Sequence, residues 1–198
     1  KFAADELRQK VQFALAALLL AGLDLPRWAL AQGVEVLSLS AERHAEGVSL
    51  DYQLRVSLPK AMEDAALRGV PLYFYATASV FRTRWYWRDD RVSRMRRAWR
   101  LTYQPLTSTW RVSQGGLGQS RASLAEALAT MTRASGWRLA DSASADGDAR
   151  HYVEFEWGLD TSQLPRPLQI GLPGGNDWQL GVERSLRFSS ATRSGSPE

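Results

Sequence analysis

The sequence predicts an all-β protein, a two-sheet antiparallel sandwich of about seven strands with two helices in its connections, on three observations. From residue 34 onward the dominant hydrophobic period is two, the alternating runs are short, and Gly and Pro punctuate them. An immunoglobulin-like arrangement is one form that such a sandwich takes.

Each element has its own pattern. Leu50, Tyr52, Leu54, Val56 and Leu58 alternate with Ser49, Asp51, Gln53, Arg55 and Ser57, which describes a strand with one buried and one wet face. Val153, Phe155, Trp157 and Leu159 alternate with Glu154 and Glu156, and Trp178, Leu180 and Val182 alternate with Gln179, Gly181 and Glu183. Strands also fit residues 34–40, 71–87, 96–104 and 109–114.

One helix is expected from Pro59 to Arg68, with Pro in its first turn and Gly69 as its C-terminal cap. A second begins at Ser123, where Glu126 three residues on completes a capping box, and runs through Leu124, Leu128 and Met131 to Gly136. Residues 141–149 read as a surface loop and 189–198 as a loose tail.

Residues 8–31 carry basic Arg8 and Lys10, an apolar stretch from Val11 to Leu23, and the small-residue tripeptide Ala29-Leu30-Ala31. That is the order of a secretion signal. The apolar stretch of thirteen residues reaches only about 20 Å as a helix, short of the roughly 30 Å hydrocarbon core. Cleavage after Ala31 would leave Gln32 as the mature N-terminus, and with no Cys in the chain a lipid-anchored lipoprotein is excluded by chemistry. A buried N-terminal helix and an uncleaved anchor are the alternatives. The expected division is therefore a leader or hydrophobic segment over 1–31, a single β-rich domain over 32–188, and a tail over 189–198. The expected location is periplasmic or otherwise exported, in a Gram-negative envelope.

Composition removes several function classes. With 44% hydrophobic and 23% charged residues the chain supports a packed core and is neither disordered nor a multi-span membrane protein. Zero Cys and two His argue against thiol chemistry and a dedicated transition-metal site, so no metal and no cofactor is expected. The histidines, His44 and His151, stand outside any HExxH or Gly-x-Ser-x-Gly context. Gly115-Gly116-Leu117-Gly118 lacks the Gly-Lys-Ser/Thr ending of a phosphate loop and reads as a turn. No catalytic residue is assigned, and the expectation is a protein that is not an enzyme.

Charge is concentrated in one stretch. Between residues 82 and 111 nine Arg and no Lys stand against Asp89 and Asp90, a local charge of +7. Because the whole chain carries +4, the remainder sums to −3. The arginines are interleaved with Trp85, Tyr86, Trp87, Trp99 and Tyr103, a mixture that suits cation–π contacts and carboxylate or phosphate recognition. If Asp89-Asp90 is the tip of a hairpin, Arg84, Trp85, Tyr86, Trp87, Arg88, Arg91, Arg94, Arg97 and Trp99 form a binding surface on it. The plainer reading is a solvated hairpin whose Arg stems cover rings and pair with Glu154 and Glu156. An envelope protein is the partner this surface would take. Anionic lipid or glycan is an alternative, and nucleic acid is disfavoured for an exported chain. Glu154 and Glu156, about 7 Å apart on one strand face, also resemble the spacing of a glycosidase pair, which leaves an envelope glycan hydrolase as a rival.

Four blocks carry a family resemblance. They are Leu54-Arg-Val-Ser-Leu-Pro-Lys-Ala-Met-Glu-Asp-Ala-Ala-Leu-Arg-Gly-Val-Pro-Leu72, then Trp85-Tyr86-Trp87-Arg88 with Arg91, then Trp99-Arg-Leu-Thr-Tyr-Gln-Pro-Leu-Thr107, and Leu159-Asp-Thr-Ser-Gln-Leu-Pro-Arg-Pro167. Together they resemble the bacterial family DUF4390 over nearly all of the mature chain. The resemblance implies an exported protein of Gram-negative envelopes whose gene often neighbours a membrane sensor kinase. That makes a sensory partner of a membrane histidine kinase a further alternative, and it assigns no functional residues.

Overall fold

In a computed structural model the described residues are 33–84, 88–141, 151–164 and 178–187, with the backbone of 189–190. All belong to one compact unit, Ala31–Glu198. Alternation of apolar and polar side chains builds most of its strands, which account for the two sheets of an all-β sandwich.

The first sheet has the order β10-β1-β2-β7, from β1 (Val34–His44), β2 (Gly47–Val56), β7 (Arg133–Asp141) and the two-residue β10 (Ser189–Ser190). β1 and β2 form a hairpin, and β2 pairs antiparallel with β7. Gly47 closes the hairpin turn at φ 136°, where a Cβ would sit 2.0 Å from the Ala140 carbonyl oxygen, so no other residue fits. The second sheet has the order β6-β5-β4-β3-β8-β9. Its strands are β3 (Leu72–Arg82), β4 (Asp90–Gln104), β5 (Thr109–Gln114), β6 (Leu117–Arg121), β8 (His151–Leu159) and β9 (Gly181–Arg187). Four of them form a sequential meander, which makes this sheet larger than either sheet of an immunoglobulin domain.

The core lies on the inward face of the second sheet. β3 supplies Phe74, Ala76, Ala78 and Val80, all fully buried, and the neighbouring β8 sets Leu159, Trp157, Phe155 and Val153 beside them in register. Small residues on one strand thus leave room for large ones on the next, which is how dense packing is reached. Trp157 stacks on Phe74 with ring centroids 5.4 Å apart, and Tyr52 from the first sheet meets Phe155 at 4.8 Å. Tyr52 Oη and Trp157 Nε1 both donate to the Met131 carbonyl oxygen, at 3.2 and 3.1 Å, so the polar ends of two core rings are satisfied together.

Two helices fill the connections. α1 (Lys60–Leu67) follows Pro59 and ends at Gly69, φ 90°. α2 (Leu124–Met131) begins on the expected capping box: Glu126 N donates to Ser123 Oγ at 3.2 Å, while Glu126 Oε2 accepts from Ala122 N at 3.3 Å.

Several boundaries differ from the sequence reading. Among the described residues there are ten strands, where about seven were expected. The run expected as strand to residue 87 stops at Arg82, and the next strand starts at Asp90 instead of 96. Residues 90–95 are missed because their outward positions are arginines and their inward ones, Ser93 and Met95, lie at the margin of the core, with Met95 43% exposed. α2 stops at Met131 instead of reaching Gly136, since Arg133 and Ala134 pair with Gln53 and Tyr52 of β2. β6 is missed because it is exposed at four of its five positions and shows no alternation; the pair Gly115-Gly116, with φ 54° and 88°, forms the two-residue turn that leads into it. The strand expected at 178–183 is shifted to 181–187. The tail expected from 189 opens with a parallel bridge to β1, Glu42 opposite Ser189.

Residues 1–31, expected as a leader, and the loop at 142–149 lie outside the described residues. Among the described residues no helix is long and apolar enough to cross a membrane.

Candidate docking surface

β4 decides how the arginine-rich stretch is displayed. Its register with β3 pairs Arg100 with Tyr73, Ala98 with Tyr75, Arg96 with Thr77, Arg94 with Ser79 and Arg91 with Phe81. Because side chains alternate along a strand, these residues share the outward face, while Trp99, Leu101 and Arg97 point to the core. Trp99 is only 4% exposed, beside Phe74, and is therefore a packing residue rather than part of a binding surface. Arg97 places its guanidinium 4.7 Å from the Trp137 ring centroid and lids the core from its margin, so it too leaves the docking surface.

Asp89-Asp90 is not the tip of the hairpin. Asp90 is the first residue of β4, opposite Arg82, and the connection runs over 83–89. Asp90 accepts from Arg82 and Arg84, each at 2.9 Å, and the hydrogen bond from Arg82 leads the effects that lower its pKa below the usual value. Arg84 is thus already engaged. Arg88 is exposed, and Trp85, Tyr86 and Trp87 lie outside the described residues.

Among the described residues the exposed arginines lie on a broad sheet face. Arg91, Arg94 and Arg100 are exposed, and among the described residues none has a carboxylate partner. Arg96 is tied down: it pairs with Asp160 at 3.0 Å and lies 4.8 Å from the Tyr75 ring centroid. Arg111 of β5 lies flat across Gly118, whose missing side chain makes the space; a Cβ there would be 2.6 Å from Arg111 Nε. Next to this basic half, β3 contributes Tyr73, Tyr75, Thr77, Ser79 and Phe81, and β8 contributes Tyr152, Glu154 and Glu156. β9 adds Glu183 beside Glu156. The face is segregated, positive along β4 and negative along β8, while β9 carries both Glu183 and Arg187.

The tyrosines form its rigid part. Tyr75 Oη donates to Glu156 Oε1, and burial first, then that bond, raises the Tyr75 pKa. Tyr152 stacks on Phe81 at 5.2 Å and donates to Asp89 Oδ2 at 3.0 Å; desolvation and that bond push its pKa up to about 12. Sequence reasoning missed Tyr73, Tyr75 and Phe81, although the alternation in residues 71–82 already set them opposite the core residues.

The expected pairing of arginines with Glu154 and Glu156 is not what forms; Glu156 takes the Tyr75 hydroxyl and Arg96 takes Asp160. The two glutamates do share one face, as expected of a wet strand, and both are half-buried there beside the buried Ser79 and Thr77. A cavity of about 440 Å³ lies at the β1–β2 turn, lined by His44, Glu46, Ser49 and Arg138 among others. A second, of about 360 Å³, is lined by Thr83, His151, Tyr152, Ser185, Leu186 and Arg187. Neither includes Glu154 or Glu156.

In the first cavity His44 Nε2 is 3.0 Å from Ser49 Oγ and 3.6 Å from Glu42 Oε2. Both partners meet the same ring nitrogen, whereas a nucleophile relay needs the carboxylate on the opposite one. Among the described residues no group of three or more His, Asp or Glu is placed to hold a metal ion.

The fold and this face define a two-sheet β-sandwich that displays a charge-segregated, tyrosine-centred sheet surface. By sequence the chain belongs to the family described as Domain of unknown function (DUF4390), which matches residues 31–187. No curated protein and no solved structure matches the chain.

Proposed function

We propose that the chain is an exported, non-catalytic binding or accessory module of the Gram-negative envelope, which docks an acidic surface of an envelope protein through the outward face of β4. The single observation that carries this reading is that Arg91, Arg94 and Arg100 stand exposed on one sheet face with no carboxylate partner among the described residues. A planar guanidinium fork is pre-organised for a carboxylate, so less freedom is lost per hydrogen bond when one arrives. The tyrosines beside the arginines add flat, amphipathic contact area of the kind found at interfaces. Export is supported by the order of basic, apolar and small residues in 8–31.

A photo-crosslinking residue placed at Arg94 in cells should give an adduct with another envelope protein, and the same residue at Arg55, on the other sheet, should not. Replacing Arg91 and Arg100 with Glu should abolish the adduct. An adduct that is equally strong from both positions, or that survives both charge reversals, would overturn the docking reading. Fractionation that leaves the full chain in the cytosol would overturn export.

A further inference from the structure

We propose that the outward face of the six-stranded sheet is also self-complementary, and that it pairs with the same face of a second copy of this chain about a two-fold axis running along β3. The rows of residues across the sheet are what point to it. In one row Arg94 on β4, Ser79 on β3 and Glu154 on β8 lie side by side; in the next, Arg96, Thr77 and Glu156 do. Each row is centred on β3, with the cation one strand to one side and the anion one strand to the other.

A two-fold axis parallel to β3, midway between two facing sheets, exchanges left and right but preserves height along the strand. It therefore lays β4 of one copy over β8 of the other and sets Arg94 against Glu154 of the second copy, and Glu154 against its Arg94. Facing sheets pack about 10 Å apart, a gap that an extended Arg and an extended Glu span together. Aligned sheets cross at about 30°, which moves a residue one strand from the axis, roughly 5 Å away, by only about 2.5 Å.

The neighbouring rows fit the same operation. In the Phe81 row the partners are Arg91 and Tyr152, so a guanidinium meets a ring already held by stacking on Phe81. In the Tyr75 row they are Ala98 and Gly158, both small, with the Tyr75 hydroxyl 3.6 Å from where a Gly158 Cβ would stand. Arg96 and Glu156 already have partners in Asp160 and Tyr75, so Arg94 and Glu154 carry the pairing. Neither has an ion-pair partner among the described residues. In an isologous contact each such pair occurs twice, which doubles its effect.

This pairing does not require the docking proposed above, although both use β4, so an acidic partner and a second copy compete for the face. Charge reversal separates them. Glu154→Arg should break the pairing while leaving the face more basic for an acidic partner, whereas Arg94→Glu should weaken both.

Sedimentation velocity of the full chain at low salt should show a dimer at about 100 µM, weakened as ionic strength rises toward about 0.5 M. Arg94→Glu and Glu154→Arg should each raise the dissociation constant by roughly tenfold or more. The double variant Arg94→Glu/Glu154→Arg should recover it to within about threefold, since each swapped residue again meets its opposite. Recovery also separates this contact from any association through the apolar segment at 11–23, which the swap does not touch. A wild-type monomer under these conditions, single reversals without effect, or a double variant no better than the singles would overturn the proposal. Should a reversal disturb folding, judged by circular dichroism, Arg94→Gln and Glu154→Gln should each still raise the dissociation constant, and the double Gln variant should not recover it; neutral variants that dimerise like the wild type would overturn the proposal.

Discussion

The two faces of the six-stranded sheet are made by the same strands and obey opposite rules. On β3 the inward residues Phe74, Ala76, Ala78 and Val80 have no exposure at all, while of the outward ones Tyr73, Tyr75 and Phe81 are half-buried and Thr77 and Ser79 are buried between charged neighbours. On β4 the contrast is sharper: Leu101 and Trp99 face in, and Arg91, Arg94, Arg96 and Arg100 face out. Stability therefore resides in one face and the proposed docking in the other, and a single-residue step along a strand moves a side chain between them.

The largest expected effect lies on the inward face. Trp157→Ala removes a fully buried ring that stacks on Phe74 and donates to the Met131 carbonyl oxygen. It should cost about 3–5 kcal/mol in urea unfolding. A loss below about 1 kcal/mol would mean that the core closes around the gap and that the division between the faces is weaker than described.

A second effect, also inward, depends on pH. Burial pushes the Tyr52 hydroxyl from 10.0 up to about 12, with Arg97 pulling slightly the other way. A raised folded-state pKa means that the phenol contributes stability that is complete below pH 10 and is lost as the pH climbs toward 12. The contribution is about 2 kcal/mol in order of magnitude. Thermal midpoints should fall over that interval for the wild type and fall less for Tyr52→Phe. Equal slopes would show that Tyr52 is not what titrates against the fold.

The two faces differ in how legible they are in the sequence. The inward face follows from alternation, so Leu50 to Leu54 and Val153 to Leu159 could be assigned from residue types alone. The capping box at Ser123 and Glu126 is legible for the same reason, because its partners are three residues apart. The outward face depends on register across three strands, and nothing local tells Arg94 that Glu154 will stand two strands away. Where a strand leaves the core, as at Arg91 to Met95, even its existence is hidden because its apolar residues, Val92 and Met95, do not alternate. The charge excess between 82 and 111 correctly marks an unusual region, but charge counting cannot divide it between the faces. That is why Trp99 and Arg97 read as surface although one packs in the core and the other lids it.

Arg97 stands at the boundary and should behave as a core residue. Its guanidinium sits over Trp137 at the margin of the sandwich. Arg97→Ala should lower stability by about 1 kcal/mol through the lost cation–π contact and the stem that covers apolar surface. It should leave crosslinking from position 94 unchanged. If instead it abolished the adduct without affecting stability, Arg97 would belong to the outward face.

The smallest effect on the fold belongs to the exposed arginines of the proposed docking face. Arg91 and Arg94 are exposed and lack a carboxylate partner among the described residues, so replacing either with Ser removes neither a buried stem nor a compensated charge. Unfolding free energies should stay within about 0.5 kcal/mol of the wild type. Spreading the charge should even relieve repulsion along β4, where Arg94 and Arg96 stand about 7 Å apart. A fall of more than about 1 kcal/mol in either variant would show instead that these arginines help to hold the sheet together.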